Sequence, residues 1–136
     1  MTDYSKMSDF EIDKAVADAL GIDYDIAIMF VNPVDKINGN HVEEYVRKKI
    51  TSNEKHWKRF SPTRIPNDAW SIIVENGISI VKLDTNWICA PIDEAIDGIT
   101  GDNEFCFYAS KGVVDHKPLR AAMIVFLMMQ EKSNGS

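Results

Sequence analysis

The sequence predicts an α+β fold: one domain over residues 1–133, with N-terminal and C-terminal helices on a small, mostly antiparallel sheet, and a disordered C-terminal tail over residues 134–136. Three observations carry this. "SDFEIDKAVADALG" has a capped helical pattern, "ISIVKL" and "NWICAPI" read as two strands joined across Asp84-Thr85, and "DHKPLRAAMIVFLMMQEK" reads as a second capped helix. The 136 residues suffice for one core, and 45% apolar against 26% charged residues is globular composition.

In the first helix Ser8 and Glu11 have capping-box spacing, Ile12, Ala15, Val16, Ala19 and Leu20 form a stripe, and Gly21 supplies the C-terminal cap. "IAIMFV", Ile26 to Val31, suits a buried strand stopped by Asn32-Pro33, with a loop over "VDKINGN". Asn40 and Glu43 offer a second cap, and Val42, Tyr45, Val46 and Ile50 recur at helical spacing, predicting a helix over His41 to Ile50 with Arg47, Lys48 and Lys49 outside. Pro62 and Pro66 make Phe60 to Asn67 a stiff loop. A short helix over Ala69 to Glu75, ended by Asn76-Gly77, leads into the hairpin; Asp93 to Glu104 reads as a polar turn and "FCFYAS" as a strand. In the last helix Asp115 can cap and Pro118 suits the first turn. It is so apolar that we expect a central buried helix or a homo-oligomer seam through Leu119, Met123 and Phe126.

The formal charge of −6 is uneven. Arg47 to Arg64 holds seven basic residues and one acid, Glu54, for +6, so the remainder carries −12. An acidic body argues against nucleic acid as a general partner, because counterion release needs many cations. The N-terminus lacks the charged and apolar regions of a secretory signal, and the longest apolar run, Ala121 to Met129, is about half of the roughly 20 residues that span a bilayer, so no membrane is expected. Cys89 and Cys106, without a CxxC, read as reduced thiols.

No motif calls for a cofactor or a catalytic residue. His41, His56 and His116 are too dispersed for a metal site, and Gly-rich phosphate loops and G-x-S-x-G are absent. A non-enzymatic protein is therefore expected. The basic stretch "HWKRFSPTRIPNDAW" stands out. Its aromatics can cover the core beneath a loop with solvated cations, or they can form a site. In the second case Trp57 and Trp70 stack on a planar group, Arg59 and Arg64 fork onto an anion, and Ser61 and Thr63 donate hydroxyls. A small anionic, nucleotide-like ligand fits best; the same residue types also suit docking on a host enzyme.

The segments "YSKMSDFEIDKAVADALG", "IPNDAWSIIVENGISI", "NWICA" and "KPLRAAMIVFLMMQE" resemble, in that order and spacing, the NinX family of lambdoid phages and prophages. The resemblance covers the residues up to Gly21, Ile65 to Ala90 and Lys117 to Glu131, and departs at Ser71, where members carry Pro. It implies a phage or prophage origin; the lack of a secretory signal adds the expectation of a place in the cytoplasm of the bacterial host. It implies no reaction, since the family is defined by sequence and phage context. The gene neighbourhood typical of the family adds a recombination-linked nucleic-acid binder as a third alternative.

Overall fold

The computed structural model describes residues 3–30, 42–50, 56–92, 97–101, 104–108 and 111–134. The predicted stop at Asn32-Pro33, the loop over 34–40, the Asn40 cap and residues 93–96, 102–103, 109–110 and 135–136 lie outside these. Among the described residues are three α-helices and three antiparallel sheets, the α+β architecture expected with a helix near each terminus.

Helix α1 spans Asp9–Leu20 after a 3-10 turn at Tyr4–Lys6. Ser8 Oγ accepts the Glu11 amide at 3.1 Å, and Gly21 closes the helix at φ 69°, a left-handed backbone that costs glycine least. The covered stripe differs from the predicted one. Asp9, Ile12, Asp13, Val16 and Ala17 are buried, while Ala19 and Leu20 are exposed. Two carboxylates therefore occupy the inner face, and both need partners there.

Strands β1 (Tyr24–Phe30), β2 (Val42–Lys49) and β3 (Trp57–Arg59) form one antiparallel sheet in that order. The predicted helix over His41 to Ile50 is thus a strand. Val42, Tyr45 and Val46 suit either state. Seven paired positions with β1, from Tyr24 opposite Lys48 to Phe30 opposite Val42, decide for strand, because tertiary pairing outweighs local spacing. Val46 and Phe60 turn inward and are buried. Strand β1 is not the buried strand expected: Ile28 is 58% exposed and Ile26 37%. Its Tyr24 hydroxyl donates to Asp18 of α1, which pushes the phenol up to about 12.

Helix α2 (Pro66–Asn76) starts at Pro66, earlier than predicted, with proline in the first turn where a missing N–H costs nothing. Gly77 ends it at φ 61°. A Cβ there would lie 2.7 Å from Cδ1 of the exposed Ile92, which would have to shift, so the left-handed backbone is the stronger demand for glycine. The predicted hairpin is β4 (Ser79–Lys82) and β5 (Trp87–Ala90), extended by β8 (Val113–Asp115). Part of the expected polar turn is itself a strand, β6 (Asp97–Gly101), paired with β7 (Glu104–Tyr108).

Helix α3 (Pro118–Asn134) is the centre of the molecule, packed against α1, α2, β4, β5 and β8. Ala121 through Leu127 are buried on every side. Of the three expected seam residues, Met123 is 0% and Phe126 2% exposed and so covered within one chain, while Leu119 is half-buried. No described helix is long and apolar enough to cross a membrane.

Candidate functional site

The basic stretch divides among three elements. Trp57 and Arg59 belong to β3, Ser61 to Arg64 form a turn, and Trp70 lies on α2. In an antiparallel sheet directly opposed residues share a face. With Arg47 opposite both Asp25 and Arg59, and Lys49 opposite Trp57, the register gathers Tyr45, Arg47, Lys49, Trp57 and Arg59 on the face turned away from Val46 and the core.

These side chains are interleaved. The Arg47 guanidinium lies 5.1 Å from the Trp57 ring centroid, and its Nε and Nη2 donate to the two Asp25 oxygens at 2.5 and 2.9 Å. That bond holds the Asp25 carboxyl below its usual range. Arg59 lies 5.3 Å from the Tyr45 centroid and reaches across to Met29 Sδ at 3.8 Å. Its Nε is buried with no hydrogen-bond partner among the described residues. The result is a sheet face on which each of two guanidiniums lies over an aromatic ring. Trp57 and Arg59 are legible from the sequence. Tyr45, Arg47 and Lys49 share this face only because β2 is a strand; the signal was their period-two spacing, masked by the helical spacing of Val42, Val46 and Ile50.

The structure gives Ser61, Thr63 and Arg64 other work. Ser61 and Thr63 are 1% and 3% exposed. Ser61 Oγ donates to Asp13 Oδ2 at 2.7 Å, the Thr63 amide donates to Asp13 Oδ1 at 3.0 Å, and the Ser61 amide donates to Asp68 at 2.9 Å. Of the two predicted hydroxyl donors only that of Ser61 takes part; with the Thr63 and Ser61 amides it fastens the turn to α1 and α2, while Thr63 Oγ1 is buried without a hydrogen-bond partner among the described residues. Burial pushes the Asp13 carboxyl up, against the hydrogen bonds from Ser61 and Thr63. Arg64 spans Asp9 at 3.4 Å and Glu43 at 3.5 Å, joining α1 to β2.

Asp9 is the hub of a larger ion cluster. Its carboxylate, with 8% of the side chain exposed, receives Arg120 Nη1 at 2.8 Å and Lys117 Nζ at 3.1 Å besides Arg64. Burial opposes its charge, but the Arg120 and Lys117 bonds prevail and hold Asp9 below its ordinary value. Arg120 also donates to Asp115 Oδ2 at 3.1 Å and to the carbonyls of Ser5 and Met7 at 3.2 and 2.6 Å. The segments at the two ends that carry the family resemblance meet here. An open cleft of about 430 Å³ runs beside them, lined by Ser8, Asp9, Asp115, His116, Lys117 and Arg120 among others, and by none of the six predicted site residues. Its cations already have carboxylate partners.

Trp70, 65% exposed, shares an outer stripe of α2 with Val74, one turn on and 57% exposed. Ile92, 70% exposed, extends the stripe over Gly77. Cys89 is buried, its thiol pushed up to about 12 by burial, and His116 sits 3.2 Å from Asp115. Among the described residues no group of three or more His, Cys, Asp or Glu is arranged to hold a metal ion.

The molecule is thus a small α+β protein with a cation–aromatic sheet face and an ion cluster tying its termini together. The family model of the bacteriophage P22 NinX protein matches residues 3–130, and the chain belongs to that family. No curated protein and no solved structure matches it.

Proposed function

We propose that this phage accessory protein acts by binding rather than by catalysis, and that it captures a small, nucleotide-like anion from the infected cell on the outer face of the β1–β2–β3 sheet. The observation that carries the reading is the register-enforced grouping of Trp57 and Tyr45 with Arg47, Arg59 and Lys49. A base stacks on a ring, while a phosphate accepts from guanidinium and ammonium donors at its edge. Each Arg is pre-oriented by the ring beneath it, so less side-chain entropy is lost on binding. Ser61 and Thr63, held by Asp13, support the strand end rather than the ligand. Sequestration of a host signal would be the consequence of such capture.

Arg59→Ala should weaken binding by roughly 1–3 kcal/mol and flatten its salt dependence, because a charge-assisted bond and a counterion-releasing cation are lost together. Trp57→Ala should cost about 1–3 kcal/mol through lost stacking. Titration of tryptophan fluorescence with mono-, di- and cyclic nucleotides reads both. Trp57→Ala leaving affinity intact would remove the stacking platform from the account.

A second reading, docking on a host enzyme, is favoured by the exposed Trp70–Val74–Ile92 stripe, since exposed apolar surface carrying Trp is a usual component of a protein hot spot. Nucleotide titration separates the two, because a docking surface leaves free nucleotides unbound.

A further inference from the structure

We propose that the free edge of β1 is a homodimer seam, at which two copies join their three-stranded sheets antiparallel into one six-stranded sheet. This rests on strand geometry alone and is independent of any ligand.

Among the described residues β1 pairs only with β2. The Lys49 amide donates to the Asp23 carbonyl at 3.0 Å, which makes residues 23 and 49 a hydrogen-bonded pair and directs the odd-numbered backbone groups of β1 toward β2. The amides and carbonyls of Tyr24, Ile26, Ile28 and Phe30 therefore point to the open edge. Natural edges are protected by lysine, proline or a bulge. "YDIAIMF" contains no lysine or proline, and its single charge, Asp25, is held by Arg47 within the sheet.

The edge is self-complementary. A twofold axis through Ala27 sets Ile26 opposite Ile28 and Tyr24 opposite Phe30 of the second copy. In that register every pair bearing edge-directed backbone groups meets a pair bearing the same, so the ladder closes without an unpaired donor. Ile26 and Ile28, 37% and 58% exposed in the single chain, cover one another. On the outer face Asp25 of one copy falls opposite Met29 of the other. Met29 Sδ is the atom that Arg59 Nη1 approaches at 3.8 Å. Each carboxylate thus lands near the other copy's guanidinium, and the symmetry makes this contact twice. Because opposed residues share a face, both cation–aromatic surfaces emerge on the same side of the joined sheet.

The intact chain should sediment at twice its monomer mass across the micromolar range. Ile28→Lys, placing a charge at an exposed position of the seam, should halve that mass while leaving the circular dichroism spectrum unchanged. Ala27→Cys supplies a readout that does not depend on weakening the protein. The two Ala27 positions form a non-hydrogen-bonded pair with Cα atoms about 4.5 Å apart, within disulfide range, so mild oxidation should yield a reducible covalent dimer that the parent chain does not form. A parent chain that remains monomeric throughout, or a dimer that persists in Ile28→Lys and fails to cross-link through Ala27→Cys, overturns the proposal. The first outcome would leave the edge for a strand of another protein, and the second would place the dimer contact elsewhere.

Discussion

Phe126→Ala should destabilise the protein by about 3–5 kcal/mol, the scale of a large aromatic removed from a packed interior. Phe126 is 2% exposed and heads the fully buried side chains, on a helix that α1, α2 and strands of the second sheet all pack against. No single neighbour can collapse into the space, so the transfer loss and the cavity add. Arg64→Ala should cost no more than about 1 kcal/mol, because its contacts to Asp9 and Glu43 are long and the side chain is half exposed. Denaturant unfolding compares the two directly. Equal losses would mean that Arg64, not the α3 core, secures the junction of α1 and β2.

Asp9→Asn should cost about 3 kcal/mol at neutral pH, the low end for breaking a buried ion pair, because Arg120 retains Asp115 and two backbone carbonyls when the carboxylate is gone. The effect should depend on pH in a definite sense. Asp9 is held below its ordinary value of 3.8, so its contribution is complete above that value and is lost as pH falls through the lower folded value. The penalty of Asp9→Asn should therefore shrink toward strong acid. Asp13 runs the other way: its raised carboxyl contributes stability below 3.8 and loses it as pH rises. Unfolding of the parent and Asp9→Asn proteins between neutral pH and about pH 2 reads the difference. A penalty that grew in acid would show that Arg120 and Lys117 do not stabilise the Asp9 charge.

The parts of the fold legible in sequence are those set by local chemistry. Ser8 and Gly21 bound α1, Asn76-Gly77 ends α2, and the turn at Asp84-Thr85 joins β4 to β5, because caps and turns depend on residues a few positions apart. What was not legible depends on partners distant in the chain. Val42 to Lys49 carries a helical spacing and became a strand because β1 pairs with Val42 through Lys48 and β3 with Arg47 through Lys49. Asp9 and Asp13 look like solvated helix residues, and their burial makes sense only once Arg120 and Ser61 arrive from 111 and 48 positions away. The same limit applies to the site. Trp57 and Arg59 could be picked out by composition, whereas the orientation of Ser61 and Thr63 toward Asp13, and the company of Tyr45 and Arg47, follow from the register.

The most direct measurement is amide and indole chemical-shift mapping of the isotope-labelled chain as mono-, di- and cyclic nucleotides are added to millimolar concentration. Binding on the outer sheet face predicts shifts concentrated at Tyr45, Arg47, Lys49, Trp57 and Arg59, including the Trp57 indole, with Ser61 and Thr63 perturbed only secondarily. Shifts confined to Ser8, His116 and Lys117 around the cleft, or no shifts at all, would contradict it.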